Sequence, residues 1–317
     1  MTVLARHVLC ILDDATALEP IVARYPGFEI DREFSITTPD ARMRKAFSAS
    51  MDRVFPSMTD EDWAAIDAHQ AVTYVLSPPI EPARAIEIST AALALIADAL
   101  ESGAAAAKGE SSGIAHGAAQ WKQHAAAAGT PPSEIALYGA WVRRPIAEAD
   151  AVYTCGMHLL GLPDVELPGV DDAGAMVRWL DSFAFYQLLE ATQDMLGDGH
   201  TFRPDDDWPR RVLRKVACTR YADDEFFYNP HGSWRLEAAP AAKKPAPKKS
   251  PAKKPAATKA PAKKPAATKA LAKTPKPAAN KLPKKSAPKK PAKKPAPKKR
   301  AANKLPKNPA PKTPHRR

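Results

Sequence analysis

The stretch AVTYVLSPPIEPARAIEISTAALALIADALE, residues 71–101, carries the two periodicities that decide the fold. Ala71 to Leu76 is apolar and β-branched and is stopped by Pro78 and Pro79, which predicts a buried strand. From Ala83 to Glu101, Ile86, Leu93, Ile96 and Leu100 recur at helical spacing, and Ile88 and Leu95 widen the apolar face. Gly103 is placed to end that helix.

The same alternation extends in both directions. Val3 to Leu12 reads as a buried strand, and Asp13 and Asp14 then open a helix through Ile21 and Val22 that Pro26 and Gly27 stop. Thr59 begins a Thr-x-x-Asp capping pattern ahead of Trp63 and Ile66. Toward the C-terminus, Ala104 to Lys108 predicts a short strand and Ala115 to Ala128 a helix, with strands over Ile135 to Val142 and Ala151 to Leu160. Between Asp172 and Leu196 the positions Val177, Leu180, Ala184, Leu188, Ala191 and Met195 form a helical stripe. Arg211 to Thr219 and Phe226 to Tyr228 predict final strands, closed by Trp234. Strands and helices that alternate and end in strands predict an α+β fold, a mixed or antiparallel sheet packed with helices, with α/β as the competitor.

Charge divides the chain in two. The 317 residues carry 47 basic and 35 acidic side chains, a net charge of +12, but residues 240–317 hold 24 Lys, 3 Arg and no acid. Residues 1–239 are left with 20 basic against 35 acidic residues, or −15. The first segment is long enough to bury a core and predicts a globular domain. Cys10, Cys155 and Cys218 are few and widely spaced, which argues against a disulfide framework and for a reducing, cytoplasmic setting. No signal sequence and no apolar run of membrane-spanning length is visible.

The second segment is 62 parts in 78 Lys, Ala and Pro, repeats PAKKPAATKA from Pro251 and from Pro261, and has no aromatic residue. Nothing in it can offset the entropy of ordering, so a disordered, extended cationic tail is expected. Such a chain suits a polyanion, because each lysine that meets a phosphate releases condensed counterion. Nucleic acid, DNA first, is the expected partner, and a nucleoid-associated location follows from it. The candidate phosphate-binding residues are Lys243, Lys244, Lys248, Lys249, Lys253, Lys254, Lys263, Lys264, Lys284, Lys285, Lys289, Lys290, Lys293, Lys294, Lys298, Lys299 and Arg300. No amphipathic spacing of large apolar residues points to a membrane. Opposite signs on the two segments also predict contact between acidic body and basic tail, limited by screening.

Chemistry in the body is sparse. Gly109-Glu110-Ser111-Ser112-Gly113 fits the nucleophile-elbow pattern G-x-S-x-G, which would make Ser111 a nucleophile, while the plain alternative is a turn whose Ser hydroxyls cap the next helix. Cys155-Gly156-Met157-His158 has the spacing of half a zinc site, which Glu110, His116 and His200 would complete if the fold gathers them. In a regular strand Cys155 and His158 project to opposite faces, so that site needs a turn at Gly156. No cofactor is indicated, and an enzyme with a site around residues 109–117, His158 and His200 stands as the alternative to a nucleic-acid binder, with a partner-binding module as a third class.

Five segments of the body, YVLSPP from Tyr74, ESSGIAHG from Glu110, TCGMHLLG from Thr154, DGHTF from Asp198 and FFYNP from Phe226, resemble a bacterial domain family of unknown function. The resemblance spans about Ala71 to Leu236; it implies one intact domain and brings no catalytic residue. The tail resembles the Lys-, Ala- and Pro-rich tails of linker histones and bacterial histone-like proteins, with SPAK from Ser250 and TPHR from Thr313 as the shared turns. That resemblance implies sequence-tolerant DNA binding and compaction.

Overall fold

A computed structural model of the chain describes residues 5–169, 172–191 and 195–239. The cationic tail and all its lysines lie outside the described residues. Strand β1 (Val8–Ile11) sits at the centre of a five-stranded sheet and is buried along its whole length. It pairs antiparallel with β3 (Val72–Leu76) and β4 (Ala107–Gly109). β2 (Glu29–Ile36) joins the outer side of β3, and β5 (Ile114–Ala115) that of β4, both antiparallel.

Alternation sends the two faces of this sheet to different cores. Leu9, Ile11 and Val75 pack in the main core with Leu18 and Ile21 of α1 (Ala15–Val22) and with α4 (Ala85–Glu101). Cys10, Leu12 and Val72 pack on the other side with Met43 and Phe47 of α2 (Met43–Ser48) and Ile66 of α3 (Asp60–Ala68). Thr59 and Asp62 close the predicted capping box of α3.

The second sheet has six strands in the order β6 (Arg143–Ala147), β7 (Ala151–Cys155), β8 (Asp164–Pro168), β11 (Ser233–Ala238), β10 (Arg211–Val216), β9 (Thr201–Phe202). β8 and β11 run parallel and the other pairs antiparallel, so the sheet is mixed and the fold is α+β. Val165, Leu167, Leu213 and Leu236 of this sheet share one continuous core with Leu180, Phe183 and Ala184 of α7 (Ala173–Leu189) and with Trp121 of α5 (Ala118–Ala128) and Trp141 of α6 (Ser133–Trp141). Among the described residues no helix is long and apolar enough to cross a membrane, and the three cysteines are free thiols.

Three expectations are corrected. Residues 135–142 are not a strand: Leu137, Tyr138, Ala140 and Trp141 form the buried side of helix α6, and the strand begins only at Arg143. The strand from Ala151 ends at Cys155, because Gly156 takes φ +125° and starts a 3-10 turn over Met157–Leu160. A Cβ at Gly156 would stand 2.4 Å from the Trp141 carbonyl, so only glycine lets the chain turn there. Phe226 and Phe227 lie in a turn, its amides held by the Asp224 carboxylate, and the last strand is Ser233–Ala238.

Candidate functional site

The ESSGIAHG segment forms the β4–β5 hairpin and the entry to α5. Its side chains disperse. Glu110 pairs with Lys108 at 2.5 Å. Ser111 is 2 % exposed; its hydroxyl donates to the Arg6 carbonyl at 2.6 Å and accepts from the Val8 amide at 2.9 Å, which fastens the hairpin to the start of β1. With its proton given to the Arg6 carbonyl, that hydroxyl is not engaged by the base a nucleophile needs. Nor does a Ser hydroxyl cap α5: the Ala118 amide donates instead to Asp62 Oδ1 at 3.0 Å.

His158 is 1 % exposed, and neither ring nitrogen has a partner at good hydrogen-bond geometry, the backbones of Ser111 and Phe226 being the polar groups nearest in influence. Burial pulls its pKa down to about 4. The same interior holds a His–Ser pair that the sequence pattern does not show, His7 Nε2 to Ser89 Oγ at 2.8 Å. Ser89 donates to the Leu159 carbonyl at 2.6 Å, so His7 must be the donor to Ser89. The proton flow is the reverse of what a serine nucleophile requires, and both side chains are buried. His200 lies elsewhere, exposed on the loop before β9, where its Nδ1 accepts from the Gly197 amide. Cys155 packs with Ile146 and Tyr153. Among the described residues no group of three or more His, Cys, Asp or Glu is arranged to hold a metal.

One sequence candidate does face a cavity. His116, just after β5, lines a space of about 270 Å³ together with His124 of α5, Arg144 of β6 and Asp181 of α7. Arg53, Val54, Phe55, Ile114 and Val177 complete most of the wall. His116 Nε2 meets the Ala140 carbonyl at 3.1 Å; since a carbonyl only accepts, Nε2 carries the proton and Nδ1 is a bare acceptor. That Nδ1 is buried without a partner. Burial first, then the neighbouring His124, pulls the His116 pKa down to about 3, so the ring is neutral at physiological pH.

The cavity wall is braced. The His124 ring stands 5.0 Å from that of His116, edge to face, and its Nε2 is 2.9 Å from the Gln120 amide nitrogen. Gly139 of α6 makes room for it: a Cβ there would come within 2.8 Å of His124 Cε1. Arg144 gives Nε to Asp181 Oδ1 at 2.7 Å, lies over the Tyr138 ring at 4.2 Å, and shares Asp181 Oδ1 with the Tyr138 hydroxyl.

A larger cleft of about 470 Å³ opens on the second sheet, and its Glu148, Asp164 and Glu166 carboxylates are already matched. Glu166 accepts from Arg220 at 3.1 Å and Arg235 at 2.8 Å; Glu148 accepts from Arg220 and from the Tyr153 hydroxyl, both at 2.8 Å. Asp164 accepts from Thr154, the Met157 amide and Asn229. Burial nevertheless raises its pKa to about 6. These bonds tie β7, β8, β11 and the Arg220 loop together, whereas buried atoms without a hydrogen-bond partner lie elsewhere, among them Ser112 Oγ, His116 Nδ1, both nitrogens of His158 and Gln187 Oε1.

His124, Arg144 and Asp181 were not marked by any sequence motif; they reach His116 from α5, β6 and α7, and only the fold brings them together. No family model matches the chain, and neither a curated protein nor a solved structure is found to be similar to it.

Proposed function

We propose that this protein binds nucleic acid, DNA in the first place, without reading its sequence, through the lysines between Pro240 and Arg317. The observation that carries the reading is the segregation of charge along the sequence: 27 basic and no acidic side chains in the tail, against a net −15 in residues 1–239. Pairing lysines with phosphates is driven by counterion release and needs no fixed geometry. The SPAK and TPHR segments, similar to turns of linker-histone tails, support the same assignment. Residues 1–239 carry the opposite sign and are expected to add no phosphate affinity.

The test is gel retention of a random-sequence duplex at low salt by the full chain and by a chain ending at Ala239. Retention by the full chain, lost on truncation and lost steeply with added salt, supports the reading. Equal retention by the truncated chain overturns it.

A further inference from the structure

We propose that a cavity at the margin of the second sheet binds a small carboxylate with an apolar body, and that Lys215 holds its carboxylate group. The tail takes no part in this.

Strand register puts a lysine on the inward side of β10. Leu213 and Lys215 project to one face of that strand, and their partners on β11, Leu236 and Trp234, project to the same face. Leu213, Leu236 and Trp234 enter the main core with Phe183 and Ala184 of α7. Lys215 follows them near the end of the strand, where a cavity of about 310 Å³ opens beside Gln187 of α7. Leu162, Pro163, Ala191 and Leu196 give this cavity an apolar wall, and Trp234 gives it an indole. The Lys215 ammonium stands 4.8 Å from the centre of that indole. As a residue Lys215 is exposed, so a ligand in the cavity can reach it from solvent.

Charge decides what the cavity takes. Among the described residues no carboxylate pairs with the Lys215 ammonium. Asp198, the one carboxylate of the lining, is already engaged: Oδ1 accepts the Lys215 backbone amide at 2.9 Å and Oδ2 the Arg214 guanidinium at 3.1 Å. Glu237 lies 3.5 Å from Arg214, on the opposite face of the strand pair. The titratable neighbour that feels Lys215 is His231, drawn below its ordinary pKa by burial first and then by the lysine, so it brings no counter-charge. Partial desolvation lowers the Lys215 pKa to about 8, which still leaves it a cation at pH 7. A ligand carboxylate supplies the missing partner through a charge-assisted hydrogen bond, and an apolar body covers the indole and the aliphatic wall. Gln187 turns its amide to the Pro163 carbonyl at 3.5 Å, which leaves Lys215 as the anchoring donor. A cation is disfavoured by the ammonium, and a bare inorganic anion leaves the apolar wall wet. A space of about 310 Å³ lies at the lower end of small-molecule sites and admits one ring with a short chain.

The experiment titrates the full-length protein with 3-phenylpropanoate, 3-phenylpropanamide and acetate, following the Trp234 indole N–H resonance by NMR, assigned with Trp234→Phe. This signal reports the cavity and ignores loose ion pairing along the lysine tail. Phenylpropanoate is expected to shift it saturably and to bind about tenfold more tightly than its amide, as expected for one lost charge-assisted contact. Acetate, without the apolar body, should bind weaker than phenylpropanoate by about tenfold or more. Lys215→Met keeps an apolar stem over the indole and should erase the preference over the amide while leaving the affinity for the amide itself. Lys215→Arg should retain the preference. Both changes fall at an exposed position, and an unchanged melting temperature checks the fold; the three-ligand comparison in the parent protein stands without either variant. The proposal is overturned if phenylpropanoate and its amide titrate alike in the parent, if acetate binds as tightly as phenylpropanoate, if the indole resonance does not shift saturably, or if the preference survives in Lys215→Met or is lost in Lys215→Arg.

Discussion

His116 and His158 are both buried imidazoles, but they differ in what surrounds their second nitrogen. His116 has one bond through Nε2 and a buried Nδ1 without a partner; His158 has no bond of good geometry on either nitrogen. For His158 this makes shape the dominant requirement, since a buried polar group without a partner contributes less than an apolar one of similar volume. His158→Leu is therefore expected to hold or raise the melting temperature at pH 7. The acid response carries a second signature. His7 and His116 are pulled down to about 3 and His158 to about 4, chiefly by burial. The unfolded chain takes up these protons near pH 6.5 and the folded one only below about 4, so stability is full above pH 7 and is lost as pH falls from about 6.5 to 4. Asp164, raised to about 6, works the other way: its contribution grows as pH falls from about 6 to 4. Three groups against one predict a net loss on acidification, and His158→Leu should flatten it by about 1.4 kcal/mol per pH unit. Denaturation midpoints measured from pH 7 to 4.5 check both; an unchanged slope in the variant would show that His158 is already protonated in the folded state. Of the site itself, the sequence marked His116 as a residue that could complete a zinc shell or serve a site in the 109–117 loop, but not its unpartnered Nδ1, because Nε2 is taken by a carbonyl in α6 that no spacing rule connects to it.

At the scale of elements, Asp62 joins two helix starts. It completes the capping box of α3 with Thr59 and accepts the first amide of α5, so one carboxylate sits at two positive helix ends. Asp62→Ala is expected to cost about 1–3 kcal/mol, more than a single cap, and Asp62→Asn less than half of that, as measured by urea unfolding. A loss in Asp62→Ala no larger than that of Thr59→Ala would show that the bond to α5 adds nothing. The capping box was legible because it is a local pattern; the second use was not, because it spans 56 positions. The same division explains the elements themselves. α4 carries a clear stripe and is found where the spacing puts it. α6 was misread because Ile135-Ala-Leu-Tyr-Gly-Ala-Trp-Val looks like a buried strand, and a short apolar run does not settle its own period. β2 gave no signal because it is an edge strand, mostly exposed, so EIDREFSI has no apolar face to read. Its charges and the shift in register between Asp31 and Ile36 are features that disfavour edge-to-edge pairing, although Phe34 is exposed beside it. β8 was hidden for another reason: Asp164 and Glu166 occupy buried positions, which pattern reading assigns to apolar residues.

For the whole molecule, the net charge of +12 describes neither part, and the two parts predict opposite behaviour on ion-exchange media. A chain ending at Ala239 should bind an anion exchanger at pH 8, while the full chain should bind a cation exchanger. Affinity for duplex DNA should fall linearly on a log–log plot against salt, with a slope of about −0.9 per phosphate neutralised. Replacing ten tail lysines by glutamine should make that slope shallower without changing the melting temperature; an unchanged slope would place the contacts elsewhere. In the folded part, the continuous core has a property of its own. Trp121 and Trp141 lie 5.3 Å apart, Trp121 is 4.6 Å from the His116 ring, and Trp141 is 4.4 Å from that of His7. Indoles this close couple electronically, and an imidazolium in contact quenches the light they emit. The protein thus contains an intrinsic fluorophore pair in contact with two imidazoles that stay neutral until pH approaches about 3, and its ultraviolet emission should hold steady through mild acid and change only when these rings charge or the core opens, with no dye attached.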